Sequence, residues 1–143
     1  MGLKNPKSEI CKAIHDRLVT ALTYNSVAIP IYVDIAPKDL SGADTYVLIW
    51  GYIDNEAGNK IDYGFLASVN VEINTNSDDS VKHNAVVNSL KELMHTKKAD
   101  HLIMANFNNS VLKEPSMQYF VELAESGQIF RTILKYELNV EQK

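Results

Sequence analysis

The residues best spaced for chemistry are His95, Asp100 and His101, which form an H-x4-D-H cluster. Imidazole and carboxylate groups are ligands that transition metals accept. Lysines surround the cluster, however, and a histidine at the end of a helix often only complements the helix dipole. We therefore favour a solvated helix end, and we predict that the protein depends on no metal and no cofactor.

Nucleophilic chemistry has one thiol candidate, Cys11, which lies near the start of the first predicted helix. A helix N-terminus can lower the pKa of a thiol. Cys11 follows Ile10 at the edge of an apolar stripe, so a packed thiol is the better interpretation. The sequence also contains no serine nucleophile elbow, Walker phosphate loop or dinucleotide fingerprint. We expect that the protein is not an enzyme.

The overall composition narrows the class of protein further. The chain has 143 residues, which is typical of a single domain spanning residues 1–143, and one cysteine, which excludes an internal disulfide framework. Its 14 basic and 18 acidic residues give a net charge of −4. Because binding to a phosphate backbone needs clustered positive charge, we expect no direct nucleic-acid partner. No apolar run approaches the roughly 18–20 residues of a membrane span, so we expect no membrane partner.

Two segments have the apolar spacing of amphipathic helices. The first runs over residues 7–24, where Asn5 can cap the helix and Pro6 suits its first position. The second follows the acidic residues at 78 and 79, which favour a helix N-terminus. The side chains that we expect in the core from these helices include Ile14, Leu18, Leu22, Val86, Leu90 and Leu93.

Alternating apolar residues predict strands in most of the remaining chain. Before the second helix they lie at residues 31–35, 45–53 and 61–75, and we expect Tyr46, Trp50 and Tyr52 to share one strand face. After that helix they lie at 102–105, 117–123 and 130–140, with residues 106–115 as a loop. The alternation at 117–123 is imperfect because Phe120 is apolar too, so a short helix there stays open.

The predicted order of elements is α-β-β-β-α-β-β-β, which indicates an α+β fold. We expect a twisted, mostly antiparallel sheet with both helices packed on one face. The other face keeps tyrosine, tryptophan and small polar residues, which suits contact with another subunit. A strand over residues 61–75 would be about 50 Å long if unbroken. We therefore expect the hairpin that it forms with the preceding strand to project.

The loop at the end of this hairpin admits two interpretations, a solvated turn or an arm that contacts a neighbouring subunit. An arm would lack partners in its own chain, and a second copy can supply them. The candidate residues of such an oligomer interface are Tyr52, Asp54, Asn55, Glu56, Lys60 and Asp62.

Three short stretches carry a resemblance to a known family. Residues 33–38 (VDIAPK) are similar to an x-D-x-x-P stretch, and residues 45–50 (TYVLIW) are similar to a P-Y-V-x-I strand with Thr45 in place of proline. Residues 127–138 resemble a closing G-x-x-x-R-x-x-x-x-F strand with Tyr136 as the aromatic. On these motifs the chain resembles the tail-terminator, or tail-completion, proteins of long-tailed phages and related head–tail joining proteins.

The resemblance implies a structural virion protein without catalytic residues. It implies a ring of identical subunits, usually six, that ends the tail tube and docks to the head connector. The protein would then lie in the virion neck or tail, and in the host cytoplasm during assembly. Two alternatives stay open from the residues: a small α+β ligand-binding or enzymatic domain around a pocket, and an adaptor that binds a partner by sheet-edge pairing.

Overall fold

A computed structural model describes residues 5–36, 44–56, 64–77, 79–95, 102–109, 113, 115–124 and 127–143 of the chain. Two helices and a predominance of strands make this an α+β fold, in the predicted order with one small hairpin added. The elements are α1 (Lys7–Leu18), β1 (Thr23–Tyr24), β2 (Val27–Ala28), β3 (Ile31–Val33), β4 (Thr45–Glu56), β5 (Gly64–Thr75), α2 (Ser80–Met94), β6 (Phe107–Asn109), β7 (Ser116–Ala124) and β8 (Gly127–Gln142).

Six strands form the main sheet in the order β3-β4-β5-β8-β6, and β7 also pairs with β8. Every pair is antiparallel except β3 with β4, which is parallel. β8 is long enough to pair with β5 along one edge and with both β6 and β7 along the other. The sheet is therefore mixed and mostly antiparallel.

One face of this sheet and both helices share a single apolar core. Alternate residues of β5 and β8 point into it, so each strand has the period of two that the sequence predicts. The predicted helix positions are confirmed as core, with Leu93 partly buried and packed against it. The fully buried members from the helices and the turn after α1 include Ile14, Leu18, Leu22, Val86 and Leu90.

The first helix is shorter than predicted, because the chain turns after Leu18 and enters the β1–β2 hairpin. Asn25 and Ser26 form the hairpin turn, and both have positive φ, as two-residue hairpin turns require. The apolar stripe continues to Leu22 without a helix, because the turn itself directs Leu22 into the core. The second helix begins as expected, with the Asp79 carboxylate accepting a hydrogen bond from the Lys82 backbone N–H at 2.8 Å.

A bulge in β4 overturns the expected placement of its aromatic residues. The pairing with β5 shifts by one residue between Trp50 and Ile53, and Gly51 has a φ of +68°. Trp50 therefore lies opposite Asn70, on the face away from the helices, whereas Tyr52 packs against the core. The prediction that these two aromatics share a face is wrong, because an inserted residue reverses the alternation of a strand.

Residues 102–105 do not form the predicted strand, and the strand in this part of the chain is β6 at Phe107–Asn109. Leu102 and Met104 are buried in irregular structure, and the strand is β6, which brings Phe107 edge-on to Phe65 at 6.3 Å between ring centroids. The Glu9 carboxylate accepts hydrogen bonds from the backbone N and Nδ2 of Asn106, which fixes the chain just before β6. Part of the predicted loop at residues 106–115 is thus a strand, and it places the aromatic side chain of Phe107 in the core.

The two long hairpins end differently. β8 flanks β5 as far as Gly64, which pairs with Glu141, so the described stem of the β4–β5 hairpin stays within the sheet. The tip of that hairpin, with Lys60 and Asp62, lies outside the described residues. The β7–β8 hairpin instead extends beyond β5, because β5 ends at Thr75 opposite Phe130 while β7 and β8 remain paired as far as residues 124 and 127.

Candidate functional site

β7 lies at one end of the sheet with little cover. Within the described ranges it pairs with β8 alone, so its outer backbone edge is unpaired. α1 contacts β3 and β4, and α2 contacts β5 and β8, so the helices lie over the other strands. The side chains of β7 that point towards the helix layer therefore extend past the end of that layer.

Five large apolar side chains of β7 are exposed to solvent, by 41% to 85% of their surfaces. Four of them share the face of β7 that points towards the helix layer, and Phe120 lies on the other face. Exposed apolar surface of this kind often marks an interaction site. An unpaired strand edge adds a row of free backbone N–H and C=O groups. We call these side chains the β7 patch: Met117, Tyr119, Phe120, Val121 and Leu123.

The sequence contained a signal for this patch that our interpretation missed. Phe120 interrupts the alternation of residues 117–123, which leaves a strand or a short helix open in the sequence. The structure assigns a strand, with Met117, Tyr119, Val121 and Leu123 on one face and Phe120 on the other.

A polar cluster on the face away from the helices holds β7 and β8 to β5. Arg131 pairs through Nη1 with Oε1 of Glu122 at 3.0 Å and donates through Nε to Oδ1 of Asn74 at 3.2 Å. Asn74 donates in turn through Nδ2 to Oε2 of Glu72 at 2.8 Å, and Asn74 and Glu72 are both buried. The buried polar groups are thus partnered, so the cluster serves to fix the strands.

His83 is the most buried titratable side chain of the described chain, with no exposed surface. Its Nδ1 is hydrogen-bonded to the Thr75 hydroxyl and its Nε2 to the Thr132 hydroxyl, both at 2.8 Å. Thr75 is bonded onward to Thr45 at 3.2 Å. Burial lowers the pKa of His83, which keeps the ring neutral. His83 therefore joins α2 to three strands, and it has no access to a substrate.

The His83 ring also supports the inner side of β7. Its centroid lies 6.0 Å from that of Tyr119 and 5.9 Å from that of Phe130. Tyr119 is thereby held in place while about half of its surface stays exposed. The patch is consequently a positioned surface, supported by a buried hydrogen-bonded histidine from behind.

Two of the candidate reactive groups, Cys11 and His95, lie within the described residues. Burial raises the pKa of the Cys11 thiol, which favours the unreactive protonated form. No group of three or more histidine, cysteine, aspartate or glutamate side chains within the described residues is placed to hold a metal ion. His95 lies exposed at the end of α2, and the other two members of the H-x4-D-H cluster, Asp100 and His101, lie outside the described residues.

Four of the six residues predicted for an oligomer interface lie within the described chain, and all four are on β4. Tyr52 packs on the core of its own chain, and burial together with the Asp54 carboxylate raises the pKa of its phenol. Asp54 is half-buried and Asn55 is exposed, while the Glu56 backbone pairs with Phe65. Lys60 and Asp62 fall outside the described ranges, so their role in an interface stays a prediction.

Comparisons with known proteins place this architecture. No family model matches the sequence, and no curated protein matches it. Among solved structures the chain is similar to a chain of "Virion of native gene transfer agent (GTA) particle", with a TM-score of 0.71 and 17% sequence identity. The match covers 94% of this chain and 96% of that chain, so the two share the α+β fold along nearly their whole lengths. Among the described residues, no helix is long and apolar enough to cross a membrane.

Proposed function

We propose that this protein is a structural component of a phage-like virion. The observation that carries the proposal is the similarity of fold to a chain of a gene transfer agent virion, over nearly all of both chains. The placement of the polar side chains supports an architectural role, because His83 and Arg131 are engaged in hydrogen bonds within the fold. In this proposal the protein acts without catalysis and without a bound metal or cofactor.

The particular role that we propose is a homo-oligomeric ring, with six subunits favoured, at the neck of the particle. The ring ends the tail tube and joins it to the head connector. The sequence resemblance at residues 33–38, 45–50 and 127–138 supports this role, and so does the β7 patch, which offers a surface for assembly. The protein then resides in the virion neck or tail, and in the host cytoplasm before assembly.

The oligomeric state of the purified protein tests the ring. We expect size-exclusion chromatography with light scattering to give one discrete mass of about six chains, and negative-stain electron micrographs to show rings with a central hole. A monomer at every accessible concentration, also in the presence of purified tail tubes, would contradict the ring. The same monomer would favour the alternative of an adaptor that binds an unrelated partner, or a small ligand, through this domain.

The β4–β5 hairpin is a second part of the ring contact in this proposal. Shortening residues 55–59 to a two-residue turn should leave the monomer folded by circular dichroism and prevent ring formation. Asn88→Asp is a suitable control, because Asn88 is exposed on α2, away from both long hairpins. Normal assembly of the shortened protein at matched concentration would remove the hairpin from the contact.

A further inference from the structure

A continuous series of hydrogen bonds joins the buried His83 to the surface carboxylate of Asp44. Nδ1 of His83 is bonded to the Thr75 hydroxyl at 2.8 Å, and Thr75 is bonded to the Thr45 hydroxyl at 3.2 Å. The Thr45 hydroxyl donates in turn to Oδ1 of Asp44 at 3.4 Å. On the other side of the ring, Nε2 of His83 is bonded to the Thr132 hydroxyl at 2.8 Å. We call these five residues the His83 chain.

The carboxylate at the end of the His83 chain sets the direction of each bond in it. An ionised carboxylate only accepts hydrogen bonds, so Thr45 donates to Asp44 and the Thr45 oxygen accepts from Thr75. The Thr75 oxygen then accepts from Nδ1–H of His83, and the bare Nε2 accepts from Thr132. The opposite tautomer would leave no proton between Thr45 and Asp44, and no acceptor in the chain for the proton of the buried Thr132 hydroxyl.

Lys82 keeps Asp44 in the acceptor state that this direction requires. Nζ of Lys82 donates a hydrogen bond to Oδ1 of Asp44, and this bond lowers the pKa of the carboxyl. Asp44 therefore stays ionised over the pH range in which a histidine titrates.

The groups that contact the His83 ring from neighbouring elements are hydroxyls and aromatic rings. β4, β5 and β8 present the threonine hydroxyls of the chain, β7 presents the ring of Tyr119, and β8 also presents that of Phe130. Asp44 and Lys82 lie at the far end of the chain, and the polar cluster around Arg131 lies on the other face of the sheet. Burial lowers the pKa of His83, so these surroundings favour the neutral ring.

We propose that the His83 chain is a pH-sensitive latch, in which Asp44 holds the ring proton on Nδ1 and acid loosens the attachment to β8 before that to β5. A second ring proton must bind the bare Nε2, which then donates to Thr132. The proton of the buried Thr132 hydroxyl has to turn away from the ring, whereas Nδ1 still donates to Thr75. Acid therefore weakens the attachment of α2 to the β7–β8 hairpin. The latch is a property of the single chain and does not depend on the proposed ring.

The ring tautomer tests the direction of the His83 chain. Solid-state NMR at pH 7.5 on protein labelled with ¹⁵N at histidine Nδ1 should show a protonated Nδ1 for His83, assigned by the loss of its signal in His83→Gln. Thr45→Val removes a hydroxyl and should move the ring proton to Nε2, because Thr75 can then donate to Nδ1. Thr45→Ser keeps the hydroxyl and is the matched control, with an unchanged signal. A bare Nδ1 in the wild type, or a protonated Nδ1 in Thr45→Val, would overturn the assignment.

Amide hydrogen exchange at pH 7.5 and 5.5 tests the latch. After correction for the intrinsic exchange rate, protection of β7 and of residues 127–132 should fall by up to about tenfold per pH unit below pH 6.5, the limit for uptake of one proton. Protection of β5 should fall less. His83→Gln should abolish this difference between the strands, and His95→Gln, at the exposed end of α2, should keep it. An equal loss of protection in β5 and β7, or a difference that persists in His83→Gln, would overturn the latch.

Discussion

The two ends of the sheet differ in how their edges are protected. β3 has three residues, begins directly after Pro30, and ends at Asp34, whose φ is +66°. β7 has nine residues without proline or lysine and follows β8 in unbroken register. Natural proteins blunt edge strands with short length, proline, charge and bulges, because an open edge pairs with other chains. The difference indicates that the β3 edge is built to resist strand addition, whereas the β7 edge is built to be covered.

The same contrast applies to side chains on the face of the sheet that carries the helices. Leu90 is fully buried against the sheet, whereas Leu123 on β7 is exposed. Truncation to alanine should therefore have very different effects on the stability of the monomer at Leu90 and at Leu123.

Leu90→Ala should lower the free energy of unfolding by about 2–5 kcal/mol, because the substitution removes buried methyl groups and leaves a cavity. Leu123→Ala is the matched control, and we expect a change within about 0.5 kcal/mol in the monomer, as for other surface substitutions. Urea unfolding followed by circular dichroism measures both. A large loss for Leu123→Ala in a confirmed monomer would show that β7 is covered within its own chain.

Gly51→Ala should destabilise the protein by about 1–2 kcal/mol, because a residue with a Cβ resists positive φ. The added Cβ would also lie 2.5 Å from Nδ2 of Asn70, so that side chain must move. The measurement is again urea unfolding, and Gly51→Asn should recover part of the loss, since asparagine tolerates this conformation better. An Ala variant as stable as the wild type would indicate that the bulge is absent and that Trp50 and Tyr52 do share a face.

This bulge also marks where the sequence stops predicting the fold. The helix stripes and the alternation of β5 could be read from the sequence, because burial on one side imposes a period. One inserted residue in β4 reverses every side chain beyond it, and a single glycine among strand residues does not reveal that insertion. The position of β6 could not be predicted from the sequence either. Leu102 and Phe107 are both apolar, so composition does not show which of them lies in a strand. The hydrogen bonds between Glu9 and Asn106, just before β6, join residues far apart in the chain.

The β7 patch could not be predicted from the sequence, for a different reason. The alternation at residues 117–123 indicates which side chains of β7 share an apolar face, but it does not show whether residues of the same chain cover that face. The candidate interface on the β4–β5 hairpin follows from the length of the predicted strand, and it stays a prediction. Strand length could not reveal that β8 would flank β5 to its end, since this depends on the pairing of residues far apart in the chain.

His83 lies at the boundary between the covered sheet and β7, and it should make stability depend on pH. Its pKa is lowered in the folded protein, whereas in the unfolded chain it is about 6.5. The unfolded state therefore binds the proton first, so stability is full above about pH 6.5 and falls as the pH decreases below that value. The slope can reach about 1.4 kcal/mol per pH unit while the folded state stays unprotonated.

Melting temperatures measured between pH 7.5 and 5 test this dependence. His83→Gln should lower the melting temperature at pH 7.5 and flatten the decline in this range, because the titrating group is gone. His95→Gln, at the exposed end of α2, is the control variant. If the melting temperature of His83→Gln declines with pH like that of the wild type, then the buried His83, hydrogen-bonded to Thr75 and Thr132, does not cause the decline.

Thiol reactivity gives the smallest perturbation and compares the two regions directly. Cys11 lies on the buried face of α1, and burial raises the pKa of its thiol, so at neutral pH little thiolate forms and little reagent reaches it. A cysteine introduced by Leu123→Cys on the exposed β7 should react with a chromogenic disulfide at least about tenfold faster in the monomer. On dilution from ring to monomer its rate should rise, while that of Cys11 should stay constant, because its cover comes from its own chain. If the rate at position 123 is the same in ring and monomer, β7 stays uncovered in the assembly, and its exposed apolar surface must then receive a different partner.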